Sequence, residues 1–120
     1  MKILFATGGT AGHINPALAV ASYIREKYPD SEILFVGTAD HMESRLVPNA
    51  GFDFKTIKIS GFRRSFAPKA IVHNIKTVCQ LVTSNSACKK IIKDFKPDVA
   101  VGFGGYVSGP VLQTAVSMHI

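Results

Sequence analysis

Two short apolar runs in this chain end in the same way, and that repetition narrows the folds open to it. Lys2 to Thr7 runs into Gly8-Gly9-Thr10, with Pro16 shortly after; Asp98 to Phe103 runs into Gly104-Gly105-Tyr106, with Pro110 shortly after. A short apolar run closed by glycines reads as a buried strand. A proline followed by apolar residues at helical spacing reads as a first helical turn, where the missing N–H has no partner to lose. Each run therefore reads as a strand feeding a glycine loop and then a helix.

The segments between them alternate in the same sense. Pro16 to Tyr28 carries Ala17, Leu18, Val20, Ala21 and Ile24 at helical spacing, and Glu32 to Val36, closed by Gly37, reads as a second strand. Asp40 suits the N-cap of a helix holding Met42, Leu46 and Val47, with Glu43 three residues on as in a capping box. Phe52 to Ile59 alternates as a third strand. After a polar, basic loop from Ser60 to Pro68, apolar residues from Ile71 to Phe95 recur at three- and four-residue steps, predicting one long helix or two broken near Ser84-Asn85-Ser86. Lys96-Pro97 ends it, Asp98 to Phe103 is the fourth strand, and Pro110 to Val116 the last helix. This order predicts an α/β fold: a Rossmann-like parallel sheet with helices on both faces and right-handed crossovers. In such a sheet the first and fourth strands lie side by side where strand order reverses, and ligands bind beyond their carboxyl ends.

The 120 residues are one domain by size. No stretch approaches the ~18 apolar residues of a membrane span, and the amino terminus reaches Gly8-Gly9 too soon for a signal-peptide apolar region, which predicts a cytoplasmic protein. The two cysteines, Cys79 and Cys88, fall nine positions apart in helix, roughly 13 Å at helical rise and on opposite faces, so they read as free core thiols. His13, His41, His73 and His119 show no metal-ligand spacing, so no metal site is expected. The net charge of +6 is local: between Gly61 and Lys96 eight cations face the single acid Asp94. That points to an anionic partner or, more blandly, to a solvated helix flank.

Glycine lets backbone N–H groups approach a ligand, and a helix start adds roughly half a positive charge, so two such loops side by side form a cradle for a pyrophosphate. The loops lack the lysine of a nucleoside-triphosphate P-loop and the G-x-G-x-x-G spacing of a nicotinamide site, and the second strand ends without an acid for a ribose. A flavodoxin-like carrier would have a hydroxyl-rich loop and an acidic surface. The alternative to a ligand site is that the glycines only turn tight corners. For His13 the alternative to chemistry is a polar cap on the loop; at the predicted mouth its imidazole could take a proton near neutral pH. His41, His73 and His119 are given no role.

Gly8-Gly9-Thr10-Ala11-Gly12-His13 with Pro16-Ala17, Gly37-Thr38-Ala39-Asp40 with Met42-Glu43, Leu46-Val47-Pro48, Ile59-Ser60-Gly61 with Arg63, and Lys96-Pro97-Asp98-Val99 leading to Gly102 through Pro110 together resemble the MurG family. These are UDP-N-acetylglucosamine transferases that add GlcNAc to lipid-linked muramyl-pentapeptide (lipid I), forming lipid II of peptidoglycan. The resemblance implies a two-domain inverting glycosyltransferase of the GT-B type, working without an obligatory metal or cofactor. Residues 1–120 would be most of its N-terminal, acceptor-side domain, truncated, with the donor-binding C-terminal domain absent and the fragment alone inactive.

It implies donor contacts at Thr10, Ala11 and Gly12, where the family mostly has glycine at Ala11. Contacts to the acceptor diphosphate fall at Gly104, Gly105, Tyr106, Ser108 and Gly109, and His13 becomes the base or the group that orients the nucleophile. The partners implied are UDP-GlcNAc, lipid I and the anionic inner face of the bacterial cell membrane, which the protein would meet peripherally from the cytoplasmic side. Phe62, Arg63, Arg64, Phe66, Lys69, Val72 and Lys76 would face lipid, each cation contributing about 1 kcal/mol near the surface, while Ile71, Ile75 and Val78 form a core stripe. Two competing readings are a non-catalytic Rossmann-like subunit that anchors a separate catalytic partner, and a nucleic-acid binder. The latter rests on basicity alone and lacks a stacking platform, so no nucleic-acid partner is expected. A sheet cut after its fourth strand also leaves an edge open to self-association.

Overall fold

The computed structural model describes residues 1–58, 86–105 and 107–120. Chain order is β1 (Lys2–Ala6), α1 (Ala11–Lys27), β2 (Glu32–Gly37), α2 (Glu43–Asn49), β3 (Asp53–Thr56), helical residues 86–95 designated α3, β4 (Val99–Gly102) and α4 (Ser108–Ser117). The four strands form one parallel sheet in the order β3-β2-β1-β4, so β1 and β4 are neighbours as the paired glycine loops predict.

Both faces of the sheet are covered, which is why β1 and β2 are continuously apolar rather than alternating. Alternate residues of the same strand feed different cores. Ile3 and Phe5 of β1, with Ile33 and Phe35 of β2, pack against Ala17 and Ala21 of α1 and Val47 of α2. Leu4 and Ala6, with Leu34 and Val36, face Cys88 and Ile92 of α3 and Val111 and Ala115 of α4. Phe5 stacks on Phe35 at 5.0 Å and on Phe103 at 5.6 Å between ring centroids, tying the end of β4 to the middle of the sheet. Burying side chains of this size contributes about 2 kcal/mol each.

Three local expectations are corrected. The first helix starts at Ala11, not at Pro16, because the N–H groups of His13 and Ile14 both bond the Thr10 carbonyl (3.1 Å each) and close a turn ahead of the proline. Pro16 lies inside α1, where it has no N–H to give to the Gly12 carbonyl. The capping box at α2 does not form: the residue before the helix is Met42, without a side-chain cap, and Glu43 turns inward. The third strand is shorter than its alternation suggests, covering Asp53–Thr56. The loop from Ser60 to Pro68, the proposed lipid-facing residues Phe62, Arg63, Arg64, Phe66, Lys69, Val72 and Lys76, the stripe Ile71, Ile75 and Val78, Cys79 and Tyr106 lie outside the described residues.

Candidate functional site

β1 and β4 run in register to their ends, with Ala6 opposite Gly102 and the Phe103 N–H bonded to the Ala6 carbonyl at 2.9 Å. Their outgoing loops therefore leave the sheet at one point and touch. A methyl group placed on Gly105 would overlap the Gly8 carbonyl, so this approach needs a residue without Cβ. Ser108 secures the second loop from below. Its hydroxyl accepts the Gly104 N–H at 3.0 Å, and its own hydrogen is shared between the carbonyls of Gly104 (2.8 Å) and Ala6 (3.1 Å).

His13 stands between the loops, in the first turn of α1 and half-buried. Its Nδ1 lies 3.3 Å from the Gly8 carbonyl and 3.4 Å from Thr10 Oγ1. A carbonyl only accepts, so the contact to Gly8 puts a hydrogen on Nδ1 and leaves Nε2 as the lone-pair nitrogen. The ring edge bearing Nε2 faces Gly104.

The first turn of α1 leaves its leading amides without protein acceptors among the described residues. Thr10 is extended (φ −133°, ψ 155°) and makes no side-chain cap, and the N–H groups of Thr10, Ala11 and Gly12 find no acceptor among the described residues. Such amides are ordinarily met by a capping side chain, water or an anion. Gly9 adopts φ +93° with open space where a side chain would stand. Ala11 has ordinary helical geometry, so alanine is accommodated there. In the second loop, the N–H groups of Ser108 and Gly109 also lack acceptors among the described residues, and Gly109 likewise opens onto free space.

The sequence reading missed Glu43. Its side chain is fully buried, and its carboxylate accepts three hydrogen bonds: Gly9 N–H on Oε2 (3.2 Å), and Thr38 N–H (2.9 Å) and Thr38 Oγ1 (2.8 Å) on Oε1. Since the Thr38 hydroxyl gives its hydrogen to Glu43, the 2.7 Å contact between Thr38 Oγ1 and His41 Nδ1 is donated by His41. A methyl on Gly8 would stand 2.5 Å from Glu43 Oε1, and one on Gly37 would stand 2.5 Å from Glu43 Cγ and 3.0 Å from both the Phe54 ring and the Thr7 carbonyl, so both glycines make room for the Glu43 side chain. The signal available was the pairing of Gly37-Thr38 with a glutamate five residues on, which in sequence looks the same as a capping box.

The structure thus brings together Thr10, Ala11, Gly12, His13, Gly104, Gly105, Ser108 and Gly109, with Ser108 buried and its hydroxyl engaged inside the fold. No group of three His, Cys, Asp or Glu side chains is placed to hold a metal among the described residues.

A family model described as the glycosyltransferase family 28 N-terminal domain matches residues 3–120. The chain belongs to glycosyltransferase family 28. Within the family it is 49% identical over its full length to an N-acetylglucosamine transferase of Lactococcus lactis subsp. cremoris, and 50% identical to that of Leuconostoc mesenteroides; both carry the name UDP-N-acetylglucosamine–N-acetylmuramyl-(pentapeptide) pyrophosphoryl-undecaprenol N-acetylglucosamine transferase. The chain spans 32% of the length of each. The crystal structure of Acinetobacter baumannii MurG superposes with a TM-score of 0.77 at 27% identity, over 99% of this chain and 33% of that one. The family 28 fold of this chain is therefore the α/β, GT-B-type sheet that the sequence resemblance implies.

Proposed function

We propose that this domain is the acceptor-side half of an inverting glycosyltransferase that moves GlcNAc from UDP-GlcNAc to lipid I and so forms lipid II. The observation that carries the reading is the meeting of two glycine loops at the ends of β1 and β4 with His13 between them. The names of the relatives supply the substrates.

In this reading His13 Nε2 takes the proton from the acceptor sugar's 4-hydroxyl as its oxygen attacks the anomeric carbon from the face opposite UDP, which leaves with the bonding pair and inverts the centre. The amides of Thr10, Ala11 and Gly12 face the donor's pyrophosphate, where negative charge grows as the bond breaks. Gly104, Gly105 and Gly109 line the path of the acceptor diphosphate, and Ser108 contributes by holding Gly104 in place.

The acceptor is lipid-linked, which fits a protein working peripherally on the inner, anionic membrane face, a contact that the sequence assigns to Phe62, Arg63, Arg64, Phe66, Lys69, Val72 and Lys76. No helix among the described residues is long and apolar enough to cross a membrane. The test is His13→Ala in the full-length protein: kcat for GlcNAc transfer falls by about 10²-fold or more while UDP-GlcNAc still binds. Transfer at the wild-type rate would sink the role of His13 and favour the anchoring-subunit reading.

A further inference from the structure

We propose that Glu43 is a positioning residue for the nucleotide-sugar loop, acting through the Gly9 amide. The inference rests on the transferase reading above and deepens it. A carboxylate with no solvent exposure is costly unless its lone pairs are filled, and here three donors fill them. Two of those donors belong to Thr38, just after β2; the third is Gly9, in the loop after β1. One side chain therefore fastens two neighbouring strand-end loops, and Gly8 and Gly37 are stripped of Cβ to admit it.

The consequence for the site is directional. With its N–H drawn inward onto Glu43 Oε2, Gly9 takes φ +93°, and the chain leaves it with Thr10 extended. The next amides, on Thr10, Ala11 and Gly12, are then left without protein acceptors among the described residues and remain available to an anion. The anchor also carries a negative charge beneath an anion site. That charge opposes a pyrophosphate, so retaining it makes sense only if the geometry it imposes outweighs the repulsion.

Glu43→Gln changes the contact and the charge together, and the two changes act on donor binding in opposite directions. The amide oxygen can keep both Thr38 bonds, while the NH2 group meets the Gly9 N–H donor to donor, so the Gly9 contact is lost at nearly constant volume. The variant removes the charge as well. In the full-length protein we measure amide exchange at Gly9 and steady-state kinetics for both substrates, with the core variant Val111→Ala as a control for general loss of stability. Expected are faster exchange at Gly9, a fall of about tenfold in kcat/KM for UDP-GlcNAc, and an unchanged KM for the lipid-linked acceptor. Unchanged exchange at Gly9 overturns the proposal. So does a donor kcat/KM that falls no further than in Val111→Ala, or tighter donor binding, which would make Glu43 merely a repulsive charge. An inactive wild type would count against the transferase reading alone, since the exchange measurement decides the Gly9 contact without turnover.

Discussion

The imidazole of His13 rests against the backbone of Gly104: a methyl group built on Gly104 would stand 3.0 Å from both Cδ2 and Nε2 of the ring. Gly104, beside the lone-pair nitrogen of His13, thus cannot carry a side chain without moving the ring, and it also adopts φ +100°.

Gly104→Ala is expected to act twice. The left-handed backbone costs an L-residue about 1–2 kcal/mol, and the methyl displaces the His13 ring. Gly9→Ala carries the same backbone penalty at φ +93° but meets open space. Urea unfolding of the two variants should show Gly104→Ala as the less stable, and transfer kinetics should show kcat for Gly104→Ala lowered by about tenfold or more. Equal stabilities would mean that His13 does not occupy this position.

Thr7 follows β1 and is buried, and its Oγ1 has no hydrogen-bond partner among the described residues. A buried hydroxyl without a partner is unfavourable, so the near-isosteric Thr7→Val should raise stability by about 1 kcal/mol in chemical denaturation. A loss of stability would show that the hydroxyl is satisfied in solution.

Cys88 lies in the core facing Leu4 and Val36, and burial pushes its thiol from 9.0 up to about 11. The folded state holds the proton more tightly than the unfolded chain, so this contribution to stability is complete below pH 9.0 and is lost as the pH rises toward about 11. Denaturation midpoints should therefore decline more steeply in the wild type than in Cys88→Ala over that interval. The folded thiol should also resist alkylation at pH 8, where the reactive thiolate is scarce. Parallel alkaline profiles for the two proteins would contradict the burial effect.

Much of the fold was legible because it depends on short-range patterning. Unbroken apolar runs in β1 and β2 announce a sheet covered on both faces, and matched glycine loops announce that β1 and β4 are adjacent. The start of α1 was less legible: proline is a familiar first helical residue, but a carbonyl at Thr10 that accepts two amides closes a turn sooner. Glu43 was misread because a glutamate shortly after an aspartate looks the same in sequence whether it folds back on its own helix or reaches another loop.

The alternation of strand and helix, the apolar cores and the meeting of two glycine loops were determined by the sequence alone, since periodicity and loop chemistry act within a few residues. What each glycine is for was decided only in three dimensions. Gly8 and Gly37 make room for Glu43, Gly104 and Gly105 for His13 and the Gly8 carbonyl, and Gly9 and Gly109 leave space open. The reason is range: the Gly9 to Glu43 bond joins residues 34 positions apart and the Ser108 to Ala6 bond residues 102 apart. Such contacts exist only once the sheet has set its register.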